Sequence, residues 1–261
     1  MSRKTTENIV HKKLFKGYVT FGAWLSIGNE AIAEIFANAE YDWVVIDLEH
    51  TCMTEEKAEK LIRVVKLAGS VPLVRLTNNC ENQIKRVMDA GAGGIVVPRV
   101  NSECEAIQAI AATRYPPNGT RGVGLARAQG YGTKFLEYVE WQKKSPIVFV
   151  QIEDQAALPE IHKIFKVPGV TGFLIGPYDL SCSLGIPGEF KNRKYKKTVK
   201  TILKAGANAR CPAGMHIVEP DLVQLKNVIQ EGYKIIAYSV DFRMLDQAAR
   251  AGVKFFKSKK K

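Results

Sequence analysis

The sequence has no run of 18 consecutive apolar residues, which excludes a membrane-spanning helix. Its five cysteines (Cys52, Cys80, Cys104, Cys182 and Cys211) stand far apart, with no CxxC spacing. That is poor material for a disulfide framework or a structural zinc site, and it points to the reducing cytoplasm. No GxSxG elbow, no P-loop and no GxGxxG opening the first βα turn is present. The serine hydrolase, phosphate-cradling and dinucleotide-binding classes therefore lack their signatures. The opening MSRKTTENIVHKKLFKG carries basic residues but no apolar stretch leading to a small-residue cleavage site, so it does not read as a secretory leader.

What is present is globular in kind. Of 261 residues, 46% are hydrophobic and 25% charged, enough for a substantial core. The length suits one closed α/β barrel or two ordinary domains. The net charge of +12 could attract nucleic acid, acidic membranes or small anions. Much of it lies at the ends, in Arg3, Lys4, Lys12, Lys13 and Lys16 and in Lys254, Lys257 and Lys259 to Lys261. No aromatic-studded basic stripe accompanies it, so solvated ends are expected, with no nucleic-acid or membrane partner.

Eight short apolar, β-branched runs alternate with segments of helical period: 18–25, 43–48, 72–76, 94–100, 147–152, 172–176, 213–218 and 235–240. Near-continuous apolar strands mark a parallel sheet buried on both faces. The spacing predicts helices over 54–69, 81–90, 102–113, 154–165, 191–209, 219–231 and 242–256, with Pro159 kinking the fourth. Thr54 is a candidate N-cap with Gly69 as a stop, and Ser102 with Glu105 forms a capping-box pattern. The rhythm predicts a single-domain (β/α)₈ TIM barrel, with a doubly wound sheet as competitor. Residues 1–16 form an N-terminal extension and 257–261 a basic tail. The Pro-, Gly- and Arg-rich insertion 114–132 interrupts the pattern.

A barrel's chemistry sits at the C-terminal ends of its strands, and polar residues gather there. Strand 2 ends in Asp47-Leu48-Glu49-His50, strand 3 in Arg75, strand 5 in Gln151-Ile152-Glu153 and strand 6 in Gly176-Pro177-Tyr178-Asp179. Glu153 and Asp179 are carboxylates on adjacent strands with no Cys nearby; oxygen-only ligation suits Mg²⁺ or Mn²⁺. His50 beside Asp47 resembles an acid–imidazole base pair. His11 and His162 read as surface residues. No strand core contains a lysine, and Lys234 precedes strand 8 at the wrong end, which disfavours imine chemistry.

The blocks GAWLSIGNEAIAEIFANAEYDWVVIDLEH, VPLVRLTNNCENQIKRVMDAGAGGIVVPRV, YPPNGTRGVGLARAQGYG, VQIED and GFLIGPYDLSCSLGIPG together resemble the HpcH/HpaI aldolase family, over roughly residues 14–250. The resemblance implies a metal-dependent class II pyruvate aldolase that splits a 4-hydroxy-2-oxo acid into pyruvate and an aldehyde. It implies Glu153 and Asp179 as ligands of Mg²⁺ or Mn²⁺, with Co²⁺ a further candidate. Arg75 then steadies the enolate oxygen, and the His50–Asp47 dyad moves the hydroxyl proton. Gln151 and Trp24 line the substrate, and the backbone of Gly176, Pro177, Tyr178 and Asp179 holds its carboxylate. Arg121 and Arg127 match the family's loop motifs, with loop anchoring preferred to substrate contact. The resemblance further implies a homo-oligomer, a hexamer, whose helix 242–256 packs on a neighbour. Tyr178, Cys182, Tyr238 and His216-Ile217-Val218 depart from the family pattern and put the substrate in doubt. Rival readings are a citrate-lyase-β-like or malyl-CoA-lyase-like enzyme, an oxaloacetate decarboxylase, and a non-catalytic basic nucleic-acid-binding protein.

Overall fold

Residues 8–259 are described by the computed structural model. The chain order is α1 (Asn8–Phe15), β1 (Thr20–Leu25), α2 (Glu30–Asn38), β2 (Trp43–Asp47), α3 (Glu55–Ala68), β3 (Val71–Arg75), α4 (Glu81–Asp89), β4 (Gly94–Val97) and α5 (Glu103–Thr113). It continues with α6 (Phe135–Gln142), β5 (Ile147–Ile152), α7 (Ile161–Ile164), β6 (Gly172–Ile175), α8 (Pro177–Ser183), α9 (Arg193–Ala209), β7 (Ala213–Ile217), α10 (Leu222–Gln230), β8 (Ile235–Val240) and α11 (Asp241–Ser258). The eight strands pair in parallel in chain order, and β8 returns to β1 to close the barrel. The predicted TIM barrel is the observed fold.

Strand alternation divides the core in two. Val44, Ile46, Val74, Val148 and Val150 face the helix layer. Trp24, Trp43, Val45, Leu73, Val96, Phe149 and Leu174 fill the barrel interior. Because successive side chains of a strand point to opposite faces, the inward series continues from Trp43 and Val45 to Asp47, from Leu73 to Arg75, and from Phe149 to Gln151 and Glu153. The period that buries the core thus delivers polar groups to the barrel mouth. Below them, Trp43 lies across the axis and meets Phe149 edge-on at 5.9 Å. Gly22 makes room for it, since a Cβ there would stand 2.2 Å from the indole.

The predicted caps are in place. Thr54 Oγ1 accepts from Lys57 N–H, and Gly69 closes α3 in the left-handed region at φ 110°. Ser102 and Glu105 exchange both bonds of a capping box at the start of α5. The helix predicted over 154–165 is broken into a 3₁₀ turn, Gln155–Ala157, and the single turn of α7. Pro159 lies between them, with no N–H to give and a ring that collides with the preceding turn. Helices α1, α2, α6 and α8 add to those predicted. His11, expected at the surface, is half-buried, with its ring nitrogen Nε2 3.1 Å from the Ser145 carbonyl oxygen. The insertion is folded around Arg121, which is fully buried. Its guanidinium donates to Asp89 and to Tyr138 Oη and lies over the Tyr115 and Tyr138 rings. Arg127 donates to the Ala90 carbonyl at 3.0 Å. Both arginines serve as loop anchors. Residues 1–7 of the N-terminal extension and residues 260–261 of the basic tail lie outside the described residues. Among the described residues no helix is long and apolar enough to cross a membrane, and the five cysteines are unpaired.

Candidate active site

A cavity of about 230 Å³ opens at the C-terminal ends of the strands. Of the ten residues singled out in the sequence, nine line it: Trp24, His50, Arg75, Gln151, Glu153, Gly176, Pro177, Tyr178 and Asp179. Asp47 stands behind Arg75. A larger cavity of about 380 Å³, between α3 and α6, has Glu137 as its single carboxylate. The smaller cavity holds the convergent polar groups, so chemistry rather than size selects the site.

Asp47 and Arg75 are direct neighbours in the β2–β3 register. Arg75 Nε donates to Asp47 Oδ1 at 2.8 Å and Nη2 to Oδ2 at 2.7 Å. A third donor, Nη1, stands 3.0 Å from Glu49 Oε2. The Glu49 contact is an ion pair and not a hydrogen bond, so the Asp47 fork commits two of five guanidinium N–H donors and three remain for substrate. Burial opposes ionisation of Asp47, but the Arg75 fork outweighs it and holds the carboxyl below its ordinary pKa. Asp47 also accepts from the Glu49 backbone N–H at 3.0 Å. This corrects the predicted acid–imidazole pair. Asp47 meets His50 only through the backbone N–H at 3.5 Å, while the His50 ring nitrogen Nε2 lies 3.7 Å from Glu49 Oε2. The His50 side chain is 62% exposed at the mouth.

On the opposite wall, Glu153 is almost completely buried. Burial, then the Glu49 charge, with Asp179 adding to it, pushes its pKa up to about 7, against the Arg99 N–H that donates to Oε1 at 2.8 Å. Gln151 Nε2 donates to Glu153 Oε2 at 2.9 Å, and Gln151 Oε1 is buried without a partner. Gly176 ends β6 against this carboxylate; a Cβ there would come within 2.3 Å of Oε2. Asp179 follows in the first turn of α8, whose opening N–H groups have no intrahelical acceptor.

These residues fit a hard divalent cation. Neighbouring carboxylates raise the proton affinity of Glu153, the Gln151 amide oxygen is buried without a partner, and the donors beside them are oxygens. Among the described residues no three His, Cys, Asp or Glu side chains cluster closely enough to form a closed metal cage. Two carboxylates leave the remaining positions to water and substrate, as Lewis-acid catalysis requires.

Sequence reasoning missed three contributors. Glu49 was named at the strand end but given no role, and it bridges Arg75 and His50. His216, noted as a departure, stacks on Trp24 at 4.7 Å, and Arg75 covers the same indole at 5.0 Å. Burial lowers the His216 pKa to about 4, so this imidazole is a neutral wall. Asp241 directly follows β8 and accepts from the Ser26 and Ile27 N–H groups, fixing the β1–α2 loop. Its position at a strand end was the available signal.

The profile of the HpcH/HpaI aldolase/citrate lyase family matches residues 20–248. A 2-keto-3-deoxy-L-rhamnonate aldolase from Shigella dysenteriae serotype 1 (strain Sd197) is 35% identical over 255 residues, covering 97% of this chain and 94% of that protein. A family protein from Burkholderia cenocepacia J2315 superposes with a TM-score of 0.90 at 29% identity, covering 96% of this chain and 99% of its own. An HpcH/HpaI aldolase from Desulfitobacterium hafniense DCB-2 gives 0.86 at 28% identity, over 95% and 96% of the two chains.

Proposed function

Because the chain belongs to the HpcH/HpaI aldolase/citrate lyase family and is an aldolase of the class II type, we propose how its own residues perform the reversible cleavage of a 4-hydroxy-2-oxo acid to pyruvate and an aldehyde. The observation that carries the reading is the meeting of Glu153, Asp179, Arg75 and His50 around one cavity at the barrel mouth. The curated relative's name makes a sugar-derived 2-keto-3-deoxy acid the first substrate to assay.

Glu153 and Asp179 hold Mg²⁺ or Mn²⁺, with Co²⁺ a third candidate. When bound, the ion supplies Lewis-acid polarisation of the 2-oxo group. Arg75, immobilised by Asp47 and Glu49, directs its remaining N–H donors at the oxygen on which negative charge develops. Asp47 is a positioning residue: it costs Arg75 its freedom before substrate arrives. His50 takes the proton of the C4 hydroxyl as the C3–C4 bond breaks, and Glu49 stabilises the imidazolium that results. The imidazolium then gives that proton to C3, which becomes the methyl group of pyruvate; in the condensation direction the same imidazole removes a methyl proton and delivers it to the aldehyde oxygen. The first N–H groups of α8, after Gly176 and Pro177, receive the substrate carboxylate. Trp24 and Tyr178 flank it, and Gln151 keeps Glu153 in place. Pyruvate release from such an acid, measured before and after EDTA and after readdition of Mg²⁺, tests the reading. Release indifferent to chelation would overturn it.

The assembly is a homo-oligomer in the cytoplasm, as five unpaired thiols and α11 support. Across its 18 residues α11 buries only Asp241, leaving Phe242, Leu245, Val253 and Phe256 exposed along one face. An apolar face of that extent demands a cover, and a second copy of this chain supplies it; a hexamer is the assembly the family resemblance implies. Light scattering on the purified protein tests this, and a monomer at micromolar concentration would refute it.

A further inference from the structure

The closed end of the barrel carries a second polar cavity, of about 360 Å³, on the opposite side of the Trp43 layer from the catalytic mouth. Arg114, Lys144, Arg210 and His11 stand around it, and no carboxylate does. Lys144 and Arg210 are exposed at its rim, whereas Arg114 is half-buried. The Arg114 Nε is buried without a partner, and among the described residues no carboxylate or carbonyl accepts from its guanidinium. Two other arginines drawn into the protein differ: Arg75 meets Asp47 and Arg121 meets Asp89. A desolvated guanidinium lacking a counter-charge is costly to maintain. Burial alone lowers the Arg114 pKa, with no acidic group opposing it. Its seat is nonetheless built. Gly169, at φ 113°, leaves the space it occupies, and a Cβ there would stand 2.5 Å from Nη2.

We infer that this cavity is a binding site for a phosphoryl group, with Arg114 as its floor and Lys144 and Arg210 as its rim. The planar fork of Arg114 matches phosphate oxygens in pairs, and the two rim cations match the dianion's remaining charge. The cavity exceeds a bare phosphate in volume, and Leu14, Phe165 and Val170 give it apolar walls for a short carbon body. The source is therefore either free phosphate or a small phosphorylated metabolite.

Calorimetric titration of the full-length protein with inorganic phosphate and with glycerol 3-phosphate, at matched ionic strength in chloride, separates them. Saturable binding of either supports the site; tighter binding of glycerol 3-phosphate assigns it to metabolites, and tighter binding of phosphate to the free ion. Arg114→Gln is expected to weaken that binding at least tenfold. The rim double variant Lys144→Gln/Arg210→Gln, whose side chains are exposed, is expected to weaken it at least threefold. Pyruvate formation in phosphate-free buffer stays at the parent rate in both. Heats equal to those of chloride for both probes would overturn the proposal, as would undiminished affinity in Arg114→Gln. Should Arg114→Gln not fold, undiminished affinity in the rim variant would overturn it equally.

Discussion

Removing the Arg75 side chain tests how far the mouth of the barrel depends on one cation. Arg75 is 12% exposed and its partner Asp47 3%, and two bonds of 2.8 and 2.7 Å join them. Arg75→Met keeps the aliphatic bulk but leaves Asp47 buried and ionised beside Glu49. Breaking one side of a buried pair costs about 3–5 kcal/mol, mostly the cost of the orphaned charge. For a chain of this size that is a fall in Tm of roughly 6–20 °C. Asp47→Asn introduced into Arg75→Met removes the orphaned charge and leaves a neutral amide, which costs about 1–3 kcal/mol. The double variant is therefore expected to recover part of the lost stability while remaining inactive. Urea unfolding in EDTA, at fixed protomer concentration, measures all four corners of the cycle. The pH dependence has a definite sign. In the parent protein Arg75 depresses the Asp47 pKa, so the pair stabilises above the ordinary carboxylate range and is lost as pH falls through the folded value. In Arg75→Met the burial of Asp47 is opposed only by the Glu49 and His50 backbone N–H groups, so the deficit is greatest near neutrality and narrows on acidification. An Arg75→Met protein within about 1 kcal/mol of the parent at pH 7.5 would refute the premise that this pair is desolvated.

Gly176→Ala places a methyl group against the Glu153 carboxylate, and overpacking of this kind costs about 1–3 kcal/mol; Mg²⁺ titration should show affinity reduced at least tenfold. Glu153→Gln removes one of the two proposed acidic ligands, and the expected result is loss of metal-dependent turnover with the circular dichroism spectrum unchanged. His216→Phe preserves the stack on Trp24 but removes the titrating group. The His216 pKa is lowered from 6.5 to about 4, so its contribution is present above pH 6.5 and lost as pH falls towards 4. The parent should lose up to about 3 kcal/mol across that window through this group, and unfolding curves for the variant should be flatter there. Asp241→Ala frees the Ser26 and Ile27 N–H groups and should lower stability by about 1–3 kcal/mol, read by urea midpoint.

The barrel was legible because a parallel sheet covered on both faces writes itself as apolar runs, and because Thr54, Ser102 and Gly69 mark helix ends by local chemistry. The site was legible by the same logic, since the inward series of β2, β3 and β5 switches from apolar to charged at one end. What escaped depended on contacts between strands. Asp47 and His50 are three residues apart in sequence, but the β2–β3 register sets Arg75 directly opposite Asp47, and a cross-strand neighbour outcompetes a chain neighbour. Glu49 acquires its role only through that arginine. The run 154–165 has helical spacing in its apolar residues, and Pro159 overrides it with a steric veto.

The Trp43–Phe149 layer makes the reaction chamber a cul-de-sac. Whatever lies deepest, against the buried Glu153, cannot depart while another molecule stands between it and His50 at the entrance. Under the proposed reading traffic is thereby ordered, the aldehyde leaving first in cleavage and pyruvate last. Product-inhibition kinetics should then show pyruvate competing with the hydroxy-oxo acid and the aldehyde acting noncompetitively, so that a plug of one indole ring sets the sequence of events at the other end of the barrel.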